Sequence, residues 1–120
     1  MRIDDTKFGS ITIDGQVYPH DVYILPSGKI EKRNKKESPR IGGHRALGVR
    51  EIQYVLSFKP EILLIGKGQT GVLPIQADGE EILNSANIPI IIEKTPELIL
   101  KFNSMDSQKL KIGAIFHTTC

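Results

Sequence analysis

Residues 61–71 read Glu-Ile-Leu-Leu-Ile-Gly-Lys-Gly-Gln-Thr-Gly, and this segment decides the predicted fold. Its four consecutive aliphatic residues, Ile62 to Ile65, are typical of a strand that is buried on both faces. The glycines that follow expose backbone at the C-terminal end of that strand. A ligand is therefore expected to meet the chain at this end of the strand.

The chain after residue 48 alternates between predicted helices and strands. Apolar residues recur at three- and four-residue intervals from Val49 to Leu56, which predicts a helix that starts after Gly48 and ends at Pro60. The later elements are a short helix capped by Asp78, a buried strand at Ile88 to Ile92, a helix with Thr95 as N-cap, and a closing strand at Ile112 to Phe116. Strands that alternate with helices predict a largely parallel sheet covered by helices.

Residues 8–33 are predicted to form a β meander beside that sheet. Asp14-Gly15 stands between apolar residues and is a strong signal for a two-residue hairpin. Residues 29–33 are predicted to form an edge strand, because their charges discourage edge-to-edge aggregation. Residues 34–43 are polar and contain Pro39 and two glycines, which indicates a long exposed loop.

Length and composition predict one α/β domain over residues 1–120, since a chain of this size buries enough surface for a single core. The single cysteine, Cys120, excludes an internal disulfide framework. No apolar run resembles a signal peptide or a membrane span, so a cytoplasmic protein that does not contact membranes is expected.

Charge is unevenly distributed along the chain, although the net charge is only +2. Residues 29–50 carry eight basic and two acidic side chains, whereas the remainder has a net negative charge. Such a segment could attract a polyanion. It contains no aromatic residue on which bases could stack, so a solvated loop is favoured over a nucleic-acid site.

The glycines after the central strand have the spacing of a dinucleotide-binding fingerprint. Gly66, Gly68 and Gly71 spell G-x-G-x-x-G, and Glu93 stands where such a unit keeps an acid for the ribose. Pro74 comes three residues after Gly71 and the helical pattern begins only near Asp78, so no helix N-terminus is predicted to face a pyrophosphate. A structural glycine turn is the preferred interpretation.

A smaller anionic ligand, held by the backbone N–H groups of this loop and by Lys67, is the alternative interpretation.

The segment His117-Thr118-Thr119-Cys120 is the second candidate site. If the closing strand runs parallel to Ile62 to Ile65, this segment and the glycine loop face one pocket, and if antiparallel they lie at opposite ends. A histidine near a cysteine can activate the thiol as a nucleophile, but no third, orienting residue is evident. One such pair also has too few ligands for a metal, so a packed segment is the preferred interpretation.

Several short motifs, in their order along the whole chain, resemble those of the Mth938-like family. They are Phe8-Gly9-Ser10, Asp14-Gly15 followed by Tyr18, Ser38-Pro39, Ile65-Gly66-Lys67-Gly68, Thr95 followed by Phe102-Asn103, and Phe116 to Cys120. The resemblance implies a three-layer α/β fold with a central mixed sheet in which one strand runs against the others. It also implies relatives associated with adipocyte differentiation and with mitochondrial complex I assembly, and no catalytic mechanism that could be transferred. Relatives commonly have glycine where this chain has Asn87, which preserves the turn.

The function expected from these observations is that of a non-catalytic binding, adaptor or assembly-factor domain, without cofactor or metal. Its partner is expected to be an unknown protein or a small anionic ligand, and the apolar patch beside the short second helix makes homo-oligomers reasonable. The first alternative is a ligand-binding protein or enzyme that uses Gly66, Lys67, Gly68, Gly71, His117 and Cys120. The second alternative is nucleic-acid binding through residues 29–50.

Overall fold

A computed structural model describes residues 1–120, and it contains ten strands and three helices. The strands are β1 (Ile3–Lys7), β2 (Ser10–Ile13), β3 (Gln16–Tyr18), β4 (Val22–Ile24), β5 (Ile30–Lys32), β6 (Arg40–Ile41), β7 (His44–Arg45), β8 (Ile62–Lys67), β9 (Ile90–Glu93) and β10 (Ile112–His117). The helices are α1 (Val49–Leu56), α2 (Ala77–Asn84) and α3 (Thr95–Ser104). None of the helices is long and apolar enough to cross a membrane.

The central sheet has five strands in the order β5-β4-β10-β8-β9. Strands β8, β9 and β10 are parallel, β4 is antiparallel to β10, and β5 is antiparallel to β4. Strand β4 therefore runs against the other four, which confirms the mixed sheet that the family resemblance implies.

Both faces of the central sheet are covered, because its strands alternate apolar side chains between two cores. Helices α1 and α2 cover one face, where Ile52, Val55 and Leu83 meet Leu63, Ile65 and Ile115. Helix α3 and the three-stranded sheet β1-β2-β3 cover the other face. The predicted three-layer architecture with an N-terminal meander is thus confirmed.

The first half of the chain confirms two predictions and corrects one. Asp14 and Gly15, with φ of 48° and 81°, form the turn between β2 and β3, and β5 is an edge strand as expected. The predicted loop at residues 34–43 is wrong, since β6 pairs with β7 across Gly42 and Gly43, whose φ values are also positive. Two glycines between short strands are themselves a hairpin signal, which the surrounding charges concealed.

The second half has the predicted order of elements but different boundaries. The strand expected at residues 88–92 is β9, an edge strand that is only partly buried, because α2 ends at Asn84 and leaves it uncovered. Helix α2 follows Gln76 rather than the predicted cap Asp78, and α3 follows Lys94. Thr95 is therefore the first helical residue, and its side chain has a different role.

Candidate functional site

The parallel pairing of β10 with β8 brings the two sequence-predicted segments together. His117 pairs with Lys67 at the end of that ladder, so the chain after Lys67 and the chain after His117 both leave the sheet at the C-terminal ends of its parallel strands. Gly66 and Lys67, which were predicted to belong to the glycine loop, are the last two residues of β8. Of the two strand directions considered from the sequence, the parallel one is observed.

Backbone hydrogen bonds join these segments tightly. The N–H of Gln69 donates to the Thr119 carbonyl at 2.7 Å, and the N–H of Val72 donates to the Cys120 carbonyl at 2.8 Å. Gly68 has φ of +98°, and a Cβ atom there would overlap the carbonyl group of Cys120. Both the conformation and the close approach thus require glycine at position 68.

The Thr95 hydroxyl connects the ends of three elements. It accepts a hydrogen bond from the N–H of Gly68 at 3.0 Å and donates to the His117 carbonyl at 2.6 Å. A Cβ atom on Gly66 would lie 2.7 Å from this hydroxyl. The N–H groups of Gly68, Gln69 and Val72 are therefore satisfied within the chain.

Glu93, the acid of the fingerprint, forms an ion pair with Lys101 at 2.5 Å. The next helix after the glycines starts only at Ala77. The ion pair of Glu93 and the late start of the helix both favour a structural glycine turn over a dinucleotide-binding site.

A group of buried polar side chains lies on the α1 side of the sheet, and sequence reasoning did not find it. We call it the polar cluster; its members are Asp21, Tyr23, Arg33, Ser38, Glu51, His117 and Thr118. The sheet register builds it: Arg33 extends β5 and donates its N–H to the Asp21 carbonyl at 2.9 Å, and Phe116 pairs with Val22, which sets His117 beside Asp21.

Arg33 and Glu51 form the centre of the polar cluster. Arg33 Nε donates to Glu51 Oε1 at 2.6 Å, and its Nη2 donates to Glu51 Oε2 at 2.9 Å. Tyr23 and Ser38 donate their hydroxyls to the two Glu51 oxygens, each at 2.6 Å. The Glu51 carboxylate also accepts the N–H of Gly48 at 3.2 Å, so it caps the helix on which it lies.

Asp21 connects Arg33 to the closing strand. Its Oδ2 accepts from Arg33 Nη1 at 3.0 Å and lies 2.7 Å from His117 Nδ1. Its Oδ1 accepts the N–H and the hydroxyl of Thr118 at 2.7 and 2.8 Å. On the other side of the imidazole, Nε2 lies 3.2 Å from the Thr119 hydroxyl. Asp21 is therefore the orienting residue for His117 that was not evident from the sequence.

The environment of the polar cluster stabilises its ionised carboxylates and its protonated phenol and guanidinium. Burial raises the pKa of Asp21, but the hydrogen bond and charge of His117 and the hydrogen bond from the Thr118 N–H outweigh burial and leave this pKa low. Burial also raises the pKa of Glu51, and there the hydrogen bonds and charge of Arg33 outweigh it and leave the pKa low. Burial and the bond to Glu51 raise the pKa of Tyr23. Burial lowers the pKa of Arg33, yet the two carboxylates raise it above its ordinary value.

An open cleft of about 650 Å³ lies over the polar cluster, between β5 and α1. We call it the Tyr54 cleft; it is lined by Tyr23, Glu31, Lys32, Asn34, Glu37, Arg50, Glu51 and Tyr54. The Tyr54 hydroxyl donates to Glu31 at 2.6 Å, which lowers the pKa of Glu31 and raises that of Tyr54. Two members of the polar cluster, Tyr23 and Glu51, thus form part of the wall of the cleft.

The basic segment is only partly the solvated surface that was expected. Arg33 is buried, and Arg45 donates to the carbonyls of Lys35 and Ser38 at 2.6 and 3.2 Å. The remaining basic side chains of the segment are exposed; among them, Lys32 and Arg50 line the Tyr54 cleft and Arg40 lies on β6. Burial of Arg33 removes one charge from the surface that a polyanion could contact.

Local sequence carries only weak signals for the polar cluster. Glu51 follows Gly48 by three residues, the spacing of a capping box. Asp21 stands directly before a strand of buried residues, and Arg33 directly after an edge strand. Nothing in the sequence shows that these positions meet, because their pairing depends on strand register.

Comparison with known proteins gives a consistent result. Residues 3–117 match the family described as "Protein of unknown function (DUF498/DUF598)". A conserved hypothetical protein from Pyrococcus horikoshii OT3, PH1505, is 32% identical over the full length of both chains, with a TM-score of 0.83. MT938 is 28% identical, with 99% and 98% of the two chains covered and a TM-score of 0.79. A Mth938-like domain from Bordetella pertussis shares the fold at 13% identity, with 98% and 85% covered and a TM-score of 0.61.

Proposed function

The chain belongs to the DUF498/DUF598 family, whose structures share the Mth938-like fold, and on that premise we propose that it is a non-catalytic binding domain that holds a partner protein at the Tyr54 cleft. It acts in this proposal as an adaptor or assembly factor. The observation that carries the proposal is a row of exposed side chains beside the cleft whose residue types are enriched in protein–protein interfaces.

That row consists of Arg50, Tyr54 and Phe58, which we call the aromatic rim. Arg50 and Tyr54 lie one turn apart on α1, and Phe58 follows its last turn. Tyr54 and Phe58 are 40% and 43% exposed, and their rings meet edge to face with centroids 5.2 Å apart. Tyr, Phe and Arg are enriched in protein interfaces, where they carry much of the binding energy.

The polar cluster gives the cleft a rigid wall. Tyr23 and Glu51 are held by buried hydrogen bonds, and the Tyr23 ring lies 5.9 Å from that of Tyr54. A wall that is fixed before binding loses little conformational entropy when a partner is bound. The cleft is therefore suited to receive a side chain from a partner that also packs on the aromatic rim.

The ionisation of the cleft supports binding over proton-transfer catalysis. Glu31 and Glu51 have lowered pKa values, whereas Tyr23 and Tyr54 have raised ones. General acids and bases work best when their pKa lies near the operating pH. All four of these pKa values are shifted away from neutrality.

The test starts from the protein purified gently from its own cells, with co-purifying chains identified by native mass spectrometry. The purified partner is then titrated calorimetrically against the wild type and Tyr54→Ala. Loss of an anchoring tyrosine is expected to weaken binding by about tenfold or more, equivalent to at least about 1.4 kcal/mol.

Phe8→Ala is the matched control, because Phe8 is an aromatic residue that is 68% exposed at the β1–β2 turn, away from the cleft. It should leave the affinity unchanged. Equal affinities for wild type and Tyr54→Ala would contradict the proposal.

A second candidate function is anion binding or chemistry at Gly66, Lys67, Gly68, Gly71, His117 and Cys120. The observation that favours it is the chain of contacts from Asp21 through His117 to Thr119, beside the half-buried Cys120. This candidate expects Cys120 to react with iodoacetamide at pH 7 faster than free cysteine, and expects His117→Gln to abolish the difference. If Cys120 reacts at the rate of free cysteine in both the wild type and His117→Gln, Cys120 is not an activated thiol and this candidate function is contradicted.

A further inference from the structure

We propose that this protein forms a symmetric homodimer in which β9 pairs antiparallel with β9 of a second copy. The proposal concerns the edge of the sheet opposite β5 and does not depend on the Tyr54 cleft. It is based on the backbone groups, side chains and charges of β9 and α2.

The backbone of β9 offers unpaired groups along its outer edge. The Pro89 carbonyl accepts from Leu63 at 3.1 Å and the Thr95 N–H donates to Gly68 at 3.0 Å, so odd-numbered residues face β8. Because backbone direction alternates along a strand, Ile90 and Ile92 direct their N–H and C=O groups outward. An edge of this kind is a template for another strand.

The side chains beside this edge form an apolar groove. It is lined by Leu83, Ile88, Ile90 and Ile92, with Glu80 and Asn84 at its border. Ile92 is 41% exposed because the short helix α2 does not reach over it. The other edge of the sheet, β5, carries Glu31 and Lys32, charges that discourage pairing, whereas Ile90 to Ile92 carries none.

The pattern of β9 is complementary to itself. A two-fold axis at Ile91 sets Ile90 of each copy opposite Ile92 of the other, and all four of these side chains point to the face that α2 covers. Both copies thus extend one apolar surface across the junction. A second copy of the chain therefore fits this edge better than a strand of unrelated pattern.

The charges next to β9 also match in this arrangement. The same register sets Lys94 of one copy opposite Ile88 of the second copy. Within each copy, Ile88 and Glu80 line the same groove, so Lys94 of one copy faces the groove that contains Glu80 of the other. Lys94 and Glu80 are both exposed, and neither forms an ion pair within the chain. The dimer would bring opposite charges together twice, once at each end of the junction.

The test is sedimentation equilibrium of the whole protein over a range of concentrations, with Ile92→Lys and its control Leu100→Lys. Leu100 is 69% exposed on α3, so both variants put a lysine at an exposed apolar position. The wild type and Leu100→Lys should dimerise, and Ile92→Lys should raise the dissociation constant by tenfold or more. A wild type that stays monomeric to millimolar concentration, or equal effects of the two variants, would overturn the proposal.

A charge exchange tests the register without altering the apolar groove. Lys94→Glu should weaken the dimer, and the double variant Lys94→Glu with Glu80→Lys should restore it. Equal dimerisation in all three proteins would show that this pair of residues does not meet. Circular dichroism melting of each variant separates loss of dimer from loss of fold.

A cross-link provides the final control. In a Cys120→Ser background, Ile91→Cys places two thiols across the two-fold axis, where opposed Cα atoms lie about 4.5 Å apart. This distance lies within the range of disulfides. Oxidation should link Ile91→Cys but not Val17→Cys, an exposed position on β3. Dimers that resist this cross-link would use another surface and contradict the proposal.

Discussion

The glycine loop at residues 66–71 and the Tyr54 cleft differ in what they leave open to a ligand. The loop has a recognisable motif, but the N–H groups of Gly68, Gln69 and Val72 donate within the chain. The cleft has no motif, yet it is an open space of about 650 Å³ over buried, ordered charges. A glycine pattern indicates where the backbone adopts a conformation that only glycine tolerates easily. A site assembled from side chains that are distant in sequence leaves no such local pattern.

The largest expected effect is on the polar cluster that supports the cleft. Glu51→Ala leaves Arg33 buried without its main partner, and breaking a buried ion pair costs about 3–5 kcal/mol in the free energy of unfolding. Glu37→Ala is the control, because Glu37 pairs with Arg50 only at the surface and should cost less than about 1 kcal/mol. Urea unfolding of both variants measures the difference. Similar losses would mean that the polar cluster is not a special support of the cleft.

The next effect tests whether the glycine loop is a packed structure. Gly68→Ala should cost about 3 kcal/mol, because it combines backbone strain with overlap against Cys120. Gly43 also has a positive φ, +81°, but open space around its Cβ position, so only strain of about 1 kcal/mol is expected for Gly43→Ala. Thermal unfolding of the two variants compares them. A smaller loss for Gly68→Ala than for Gly43→Ala would remove the packing argument.

A smaller effect concerns pH. The pKa values of Asp21 and Glu51 are lower in the folded chain than their ordinary values near 4. Their contribution to stability is therefore present above about pH 4 and is lost as the pH falls through the folded pKa values. Urea unfolding between pH 6 and 2 should show this loss in the wild type and a shallower slope in Glu51→Gln. Parallel slopes would contradict the assignment of Glu51.

The smallest effect separates binding from stability within the cleft. Tyr54→Phe removes a hydroxyl that donates a solvent-exposed hydrogen bond to Glu31 on the wall of the cleft, so stability should change by less than about 1 kcal/mol. Because the ring remains, partner affinity should fall less than in Tyr54→Ala. Calorimetric titration and urea unfolding of Tyr54→Phe check both values. Unfolding of this variant would instead mark Tyr54 as a structural residue.

The order of elements and the layers were predictable from the sequence because they depend on local periodicity. The helix that starts at Val49 and the strand that starts at Ile62 follow from the pattern of apolar residues, although the helix ends before the predicted Pro60 and the strand extends past the predicted Ile65. The turn at Asp14-Gly15 follows from its residues. The family resemblance added that one strand of the sheet runs against the others, and the structure shows that this strand is β4. The partial exposure of β9 was not predictable, since it depends on its place at the end of the strand order and on how far the short helix α2 covers it.

The site was less predictable for a physical reason. Asp21 and His117 are 96 residues apart and meet through strand register, which no local pattern specifies. Arg33 looked like one charge of a solvated segment, because nothing near it in the sequence shows the carboxylates that bury it. Thr95 has the residue type of an N-cap, but its hydroxyl joins Gly68 to His117 instead.

The most direct test of the central claim is site-specific photocross-linking in the source cells, with the photoreactive residue in turn at positions 54, 70 and 8. These positions are exposed and lie in the Tyr54 cleft, the glycine loop and the β1–β2 turn, respectively. We predict a discrete protein adduct from position 54, reduced when the wild-type chain without the photoreactive residue is co-expressed in excess, and none from positions 70 or 8. An adduct from position 70 with none from position 54 would contradict it and place binding at the glycine loop.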